Sequence, residues 1–167
     1  GLIFAQNVLV GSGVRDKMKV AASAKITSAF EMAREMALGA DWCNAARAFM
    51  FSVGCIQAMR CQTNTCPAGV ATQDKRRQRG LVVTDKSERV FNYHRNTLDD
   101  LAQVVAACGI YHPNELTPSL LCHRTSALHH KTYKHLFDWL SPNELLEGTK
   151  DEWYARQWKS ARSEVFC

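Results

Sequence analysis

The chain has 167 residues, of which 46% are hydrophobic and 22% are charged, and 21 basic against 16 acidic residues give a net charge of +5. This composition is too apolar for a disordered tail, and nine Gly and four Pro exclude a collagen-like repeat. The uncharged, apolar segment 48–59 is shorter than the roughly 20 residues that a membrane-spanning helix needs, so we expect no membrane span.

The first part of the chain alternates predicted strands and helices. A run of small and β-branched residues predicts a buried strand over 17–23, and apolar residues at helical spacing predict a helix over 27–38. A second strand is predicted over 41–47, and a second helix over 48–59, which only Gly54 interrupts. Strand, helix, strand and helix with short connections are typical of a parallel α/β sheet or barrel.

The later part of the chain is predicted to be mainly helical. Asp85 and Glu88 stand at capping-box spacing, and an apolar stripe that follows them predicts a helix ending at Cys108. A short helix is predicted to begin at Thr117. Another is predicted to begin at Ser141, which precedes a proline and has a glutamate three residues later.

Three cysteines, Cys55, Cys61 and Cys66, form a C-x5-C-x4-C-P pattern. Neither spacing is that of the cysteine pairs in structural zinc sites, and the pattern holds no C-x-x-C redox motif. Iron–sulfur clusters accept wider spacings, and a proline directly after the last ligand recurs in ferredoxin-type loops. The spacing alone leaves two interpretations open, a 3Fe-4S cluster or a buried helix cysteine followed by two ordinary loop thiols.

The cysteine content also bears on the cellular compartment. Seven cysteines are an odd number for a fully paired disulfide framework, and no secretory leader is recognisable after Gly1. We therefore expect reduced thiols and a cytoplasmic location, and we interpret the chain as a piece of a longer protein.

A basic run over 75–79 raises an alternative function. Together with the cysteine loop, it predicts a zinc- or nucleic-acid-binding module. A solvated loop is the favoured interpretation, because no interleaved aromatic residues supply stacking surfaces for bases. We accordingly expect no nucleic-acid partner.

Two loops form a second candidate site. Each follows the carboxyl end of a predicted strand and leads towards a helix N-terminus, where free N–H groups and the helix dipole attract anions. In an eight-stranded barrel the loops after the last two strands commonly hold a phosphate; two tight turns without a ligand are the alternative. The residues are Ser23, Ala24 and Lys25 in the first loop and Asn44, Ala45, Ala46 and Arg47 in the second.

Segments 20–51 and 53–74 resemble the C-terminal part of the FMN-binding synthase domain of glutamate synthases, especially the stand-alone glutamate synthase-like proteins. The second segment is the more specific, because the family's cluster loop has the same cysteine spacing followed by Pro and then Gly-Val-Ala-Thr-Gln, here Pro67 and 69–73. The likeness is clear over roughly residues 1–120 and looser beyond them.

The resemblance implies cofactors and site residues. Cys55, Cys61 and Cys66 would ligate a 3Fe-4S cluster, and the two loops would hold the phosphate of FMN after the seventh and eighth barrel strands. The implied fold is α/β, the C-terminal portion of a TIM (β/α)8 barrel with a cysteine-rich cluster loop and a helical C-terminal tail. Ala24 stands where the family usually has Gly, and its methyl group would crowd a phosphate or strain a left-handed backbone.

The resemblance also implies an activity, the reductive amination of 2-oxoglutarate toward glutamate by an FMN- and iron–sulfur-dependent oxidoreductase. The nitrogen would come from ammonia or glutamine-derived ammonia, and the electrons from a donor such as ferredoxin or a reductase subunit. Residues 1–80 would hold the last β/α units and the iron–sulfur loop, and 81–167 a helical extension. Because a barrel typically needs about 250 residues, we expect this piece to be inactive alone, and no catalytic residue is identified in it.

Overall fold

The computed structural model describes residues 1–164, which form a mixed structure of helices and short strands. The helices are α1 (Leu2–Gly11), α2 (Ala29–Ala37), α3 (Ala46–Val53), α4 (Lys75–Gln78), α5 (Val83–Ala107), α6 (Tyr133–Leu136), α7 (Glu144–Glu147) and α8 (Glu152–Ser160). The strands are β1 (Ala21–Ala22), β2 (Trp42–Cys43), β3 (Cys122–Arg124) and β4 (His130–Thr132), with 3-10 turns at Arg15–Lys17, Cys61–Thr63 and Pro113–Glu115.

The strands pair as β1 with β2 and β3 with β4, so the described residues form two small sheets and no closed barrel. A barrel portion therefore stays a prediction. Within the same residues, each helix is too short or too polar to cross a membrane.

The predicted order of strands and helices is confirmed in the first part of the chain, but both strands are shorter than predicted. The prediction of a strand over 17–23 is wrong at its start, because Lys17 closes a 3-10 turn in which its N–H donates to the Val14 carbonyl at 3.0 Å. The prediction of a strand over 41–47 is wrong at its end, because α3 already begins at Ala46. Alanine is the strongest helix former, and it recurs in the first turn of α3.

The two helices of this part differ in how well they were predicted. The helix predicted over 27–38 is confirmed by α2, which covers Ala29–Ala37. The predicted helix over 48–59 is too long, because α3 ends at Val53 and is followed by Gly54, which takes a left-handed φ of 109°. The N–H of Cys55 donates back to the Met50 carbonyl at 2.9 Å, as in the common glycine-terminated helix end. The cysteine-rich segment therefore leaves the helix earlier than predicted.

The later helices follow the predictions in part. α5 is confirmed, although it begins at Val83, before the predicted capping box. No helix begins at Thr117 in the described chain, where a turn brings the Leu120 N–H to the Thr117 carbonyl at 3.0 Å. The prediction of a helix beginning at Ser141 is wrong in its start, because α7 begins at Glu144 with Asn143 as its N-cap. The Glu144 carboxylate still accepts a hydrogen bond from the Ser141 N–H at 2.7 Å, which is one of the two contacts of a capping box.

The segment expected to be a helical tail also contains an antiparallel hairpin of β3 and β4. Cys122 lies opposite Thr132 and Arg124 opposite His130. All three residues of β3 are exposed. The alternation of apolar and polar residues that identifies half-buried strands is therefore missing from the sequence.

The chain divides into two compact units. Unit 1 contains 1–22, 35–42 and 116–164, and unit 2 contains 23–34 and 43–115. All the predicted site residues lie in unit 2.

Unit 1 has a small core around a buried amide. Leu140, Leu145 and Tyr154 form the buried cluster. Beside it Asn7, only 1% exposed, donates hydrogen bonds through Nδ2 to the Tyr154 hydroxyl at 2.7 Å and to the Asp138 carbonyl at 2.8 Å. Its Oδ1 accepts from the Leu140 N–H at 3.1 Å. One side chain thus satisfies polar groups from two distant segments.

Asp41 joins three other groups of unit 1. Its carboxylate accepts hydrogen bonds from the Val20 N–H at 2.8 Å, from Arg15 Nη2 at 2.9 Å and from Lys19 Nζ at 3.0 Å. Burial raises the pKa of Asp41, but the bonds from Val20, Lys19 and Arg15 outweigh it and hold the pKa below its usual 3.8.

We expect Asp41 to make unit 1 sensitive to acid. Because its pKa is lower in the folded than in the unfolded chain, its stabilising effect is present above about pH 4 and is lost as the pH falls through the folded value. Hydrogen exchange of a peptide covering 37–43, followed from pH 5 to pH 2, should show this loss of protection. In Asp41→Asn, the same peptide should be less protected from hydrogen exchange at pH 5 and should lose less of that protection on acidification. The exposed Asp16→Asn is the control, and an unchanged acid profile in Asp41→Asn would contradict the expectation.

Candidate functional site

The three cysteines of the C-x5-C-x4-C pattern lie on one segment of unit 2, between α3 and α4. Cys55 follows the glycine that ends α3 and is partly buried. Cys61 begins a 3-10 turn and is exposed, whereas Cys66 is only 7% exposed. All three are thiols outside any disulfide, as ligation of a metal requires.

The sulfur of Cys66 lies in a nest of backbone amides. Hydrogen bonds from the N–H of Ala71 and from the N–H groups of 68–70 lower the pKa of its thiol, while burial acts in the opposite direction. The thiolate is the form of cysteine that binds metals. Cys66 is therefore the cysteine whose surroundings best suit a negatively charged, metal-bound sulfur.

The amide nest is closed at its ends by side chains. The Asn64 side-chain oxygen accepts hydrogen bonds from the Thr72 hydroxyl at 2.9 Å and from the Gln73 N–H at 2.6 Å. The sequence-based predictions did not include Asn64 or Thr72. Their role depends on a contact between residues eight positions apart, and the only sequence signal was an asparagine, which tolerates a left-handed backbone, just before Cys66.

The structure does not gather the three thiols. No group of three or more His, Cys, Asp or Glu side chains in residues 1–164 could hold a metal ion. The donor set nevertheless fits an iron–sulfur cluster in its chemistry, since one segment supplies three thiols and one of them lies among amides. Cys61 lines an open pocket of about 730 Å³ that the same segment borders. Joint ligation by the three cysteines stays a prediction and requires the segment to close further.

The first predicted phosphate loop is exposed and does not lead directly into a helix. Ser23 and Ala24 precede Lys25, which is the residue with a left-handed φ, 58°. The predicted strain therefore falls on Lys25 and not on Ala24. Just before α2, the Glu31 carboxylate accepts hydrogen bonds from the Thr27 N–H at 2.7 Å and from the Ser28 N–H at 3.1 Å.

The internal contact of Glu31 makes the start of α2 a poor anion site. The backbone and side-chain hydrogen bonds from Thr27 lower the pKa of Glu31, and further bonds from Ser28 act in the same direction. The lowered pKa favours the ionised carboxylate, so a negative charge already lies beside the start of α2 and would repel an external anion.

The second predicted loop fits an anion better. Ala45 is the N-cap of α3, and Ala46 and Arg47 form its exposed first turn. Within the described residues no side chain caps this helix, so its first N–H groups can bind a phosphate together with the Arg47 guanidinium. Asn44 is exposed immediately before the cap.

Helix α5 supports α3 within unit 2. The rings of Phe49 on α3 and Tyr93 on α5 meet edge to face with centroids 5.2 Å apart. The Tyr93 hydroxyl donates a hydrogen bond to the Thr27 carbonyl at 3.3 Å. The long helix thereby fixes the element that carries the second loop at its beginning and the cysteine segment at its end.

Comparison with known proteins gives one consistent result. The family model described as a conserved region in glutamate synthase matches residues 1–111. The glutamate synthase large subunit-like protein YerD of Bacillus subtilis is 48% identical over 101 residues, which are 60% of this chain and 19% of that protein.

Two further relatives match over shorter shares of their length. The ferredoxin-dependent glutamate synthase 2 of Arabidopsis thaliana chloroplasts is 36% identical over 73 residues, 44% of this chain and 4% of that protein. The NADH glutamate synthase of Saccharomyces cerevisiae is 28% identical over 109 residues, 65% of this chain and 5% of that protein. The chain thus spans between 4% and 19% of the length of these three relatives.

Proposed function

Because the chain belongs to the glutamate synthase family, we propose that it comes from the C-terminal part of the FMN-binding domain of a cytoplasmic FMN- and iron–sulfur-dependent synthase. The proposed reaction is the reductive amination of 2-oxoglutarate toward glutamate, with ammonia or glutamine-derived ammonia as the nitrogen source. The observation that carries the proposal is the amide nest around Cys66, which lies inside the family-matched region and suits a thiolate ligand.

The proposed architecture is the end of a TIM barrel. β1 with α2 and β2 with α3 would be its last two β/α units, and the segment after α3 would carry the cluster. In this proposal residues 1–80 form the barrel end with its cluster loop, and 81–167 form the C-terminal extension. The order of these elements and the family match over residues 1–111 support the proposal.

The residues of this chain would hold the cofactors. Cys55, Cys61 and Cys66 would ligate a 3Fe-4S cluster, and the amides around Cys66 would stabilise the negative charge on its sulfur. When bound, the cluster and FMN would supply one-electron and hydride transfer. The donor class would be a ferredoxin or a reductase subunit, since relatives named for ferredoxin and for NADH both match.

The flavin phosphate would bind chiefly at the start of α3. The N–H groups of Ala46 and Arg47 and the Arg47 guanidinium would contact its oxygens there, and Asn44 and Ala45 precede them. The first loop, Ser23, Ala24 and Lys25, would approach the phosphate through its exposed backbone and the ammonium of its lysine.

Arg47→Ala is expected to weaken binding of FMN to the flavin-free intact protein by roughly ten- to a hundredfold, because a charge-assisted contact is worth about 1.5 to 3 kcal/mol. Titration followed by flavin fluorescence measures the affinity. Arg124→Ala in unit 1 is the control and should bind FMN like the parent. If the parent, Arg47→Ala and Arg124→Ala all bound FMN with equal affinity, the phosphate would not bind at Arg47.

Metal and sulfide analysis of the intact, anaerobically purified protein tests the proposed function. We expect iron and acid-labile sulfide in about a three-to-four ratio, together with FMN. The competing zinc- or nucleic-acid-binding module predicts one zinc per chain and neither sulfide nor flavin. That second result would overturn the proposal.

A further inference from the structure

We propose that Tyr93 of α5 is a positioning residue for the flavin phosphate. Its hydroxyl holds the backbone just after the first phosphate loop, and its ring holds α3, whose start forms the second. The inference rests on the proposed function, because it presupposes that the phosphate of FMN binds at these two loops. It adds a residue of a third element, which acts on the phosphate only through its neighbours.

Helix α5 runs along α3 from the end of α3 towards its start. A Cβ added at Gly54, just after α3, would lie 3.7 Å from the Lys86 Cε near the beginning of α5. Two turns later on α5, the Tyr93 ring meets the Phe49 ring edge to face at 5.2 Å, and the His94 ring lies 5.7 Å from the same Phe49 ring. Tyr93 therefore lies beside the half of α3 that is nearer to its N-terminus.

The ring contact with Phe49 is one helical turn from the proposed phosphate site. The Phe49 N–H donates to the carbonyl of Ala45, the N-cap of α3, at 3.2 Å. Arg47 lies between these two residues in the same turn. A shift of the Phe49 ring therefore moves the backbone N–H groups that would bind the phosphate.

The hydroxyl of Tyr93 reaches the other loop. It donates to the Thr27 carbonyl at 3.3 Å, and Thr27 follows Lys25, the left-handed residue of the first loop, by two positions. Thr27 and Ala48 of α3 line one cavity of about 360 Å³, which Tyr93 also borders. One side chain thus contacts the continuations of both loops.

The cavity explains why a tyrosine serves here. Close packing fixes a side chain only where neighbouring atoms surround it, and the open space beside Tyr93 leaves one side of its ring without such neighbours. The edge-to-face contact and the hydroxyl bond hold the ring instead. A phenylalanine would keep the first of these contacts and lose the link to Thr27.

The effect should be specific for the phosphate group. Charge-assisted hydrogen bonds to phosphate are short and depend closely on the positions of their donors, which here belong to two separate segments of the chain. A change in the spacing of these segments therefore weakens the bonds to phosphate. Riboflavin is FMN without its phosphate, so its binding should not depend on that spacing.

The test compares the affinities of the flavin-free intact protein for FMN and for riboflavin, measured by flavin fluorescence. Tyr93→Phe removes the hydroxyl, Tyr93→Leu removes the hydroxyl and the ring, and Tyr111→Phe, at a fully exposed tyrosine, is the matched control. We expect the FMN affinity to fall roughly two- to tenfold in Tyr93→Phe and further in Tyr93→Leu. Riboflavin affinity in Tyr93→Phe, and both affinities in Tyr111→Phe, should equal those of the parent.

The ratio of the two affinities separates the possible outcomes. A parental ratio of FMN to riboflavin affinity in both Tyr93 variants would overturn the inference and leave the proposed function standing, because Tyr93 would then support only the fold. A parent that bound neither flavin, or that bound riboflavin as tightly as FMN, would instead contradict the proposed function, and the inference would fall with it.

Hydrogen exchange tests the two contacts without any flavin. A peptide covering 23–30 should exchange faster in Tyr93→Phe than in the parent, and a peptide covering 44–50 should also exchange faster in Tyr93→Leu. A peptide covering 98–107 should be unchanged in both variants, which shows that α5 remains folded. Parental exchange of 23–30 in Tyr93→Phe would overturn the inference.

Discussion

Replacement of Cys66 by serine is expected to remove the cluster from the intact protein, with iron and sulfide falling to background. The buried sulfur of Cys66 lies among amides that stabilise its negative charge, and a serine hydroxyl is a far poorer ligand at neutral pH. Changing a residue that merely supports a metal ligand typically costs 10- to 100-fold in metal affinity. Loss of the ligand itself should therefore cost more than roughly 100-fold. Iron and sulfide are measured chemically, and the cluster is followed by EPR.

The other cysteines supply the comparison that makes this result specific. Cys55→Ser and Cys61→Ser should lose the cluster as well. Cys108→Ser, at the end of α5, and Cys122→Ser, on the exposed strand β3, should retain it. Equal iron content in all five variants, whether high or low, would argue against ligation by the three cysteines of the loop.

Asn7→Ala should be the most destabilising of the polar substitutions in unit 1. It leaves the Tyr154 hydroxyl and the Leu140 N–H without the partner that each has in the structure. An unsatisfied buried polar group costs about 1 to 3 kcal/mol, so a loss of about 2 to 4 kcal/mol is expected. Hydrogen exchange of a peptide containing Leu140 should accelerate by roughly 30- to 1000-fold, since 1.4 kcal/mol corresponds to a factor of ten.

A surface asparagine provides the control for this effect. Asn96 is exposed on α5, and Asn96→Ala should change stability by no more than about 0.5 kcal/mol. Asn7→Leu is a second informative variant, because it fills the space but still leaves the two polar groups unpaired. If Asn7→Leu restored parental protection, the space that Asn7 fills would matter more than its hydrogen bonds.

Regular periodicity was the best guide to the fold. α5 could be predicted because its apolar residues recur at helical spacing over many turns, and Leu101 and Val105 are indeed buried. The strands could not be delimited, because their limits depend on partners elsewhere in the chain. Val20 donates to the Asp41 side chain and accepts from the Asp41 N–H, and neither contact has a local signal.

The candidate site was predictable in composition and not in arrangement. The spacing of Cys55, Cys61 and Cys66 identified the segment, but sequence gave no indication that Cys66 alone would be surrounded by amides. Asn64 and Thr72 contact each other across the ends of that segment, and a contact between residues eight positions apart has no local signal in the sequence. Likewise, a helix was predicted over 27–38, but only the geometry showed that the Glu31 carboxylate accepts hydrogen bonds from the Thr27 and Ser28 N–H groups that precede it.

The buried amide of Asn7 also has a consequence for the order in which the chain acquires its structure during synthesis. Its partners lie 131, 133 and 147 residues later. A ribosome adds about 5 to 20 residues per second, so roughly 7 to 26 seconds pass between the synthesis of Asn7 and that of Asp138. Segment 43–115, which supplies most of unit 2, is complete before then. The cysteine segment of the nascent chain is therefore complete before the N-terminal helix can bury Asn7 against its partners.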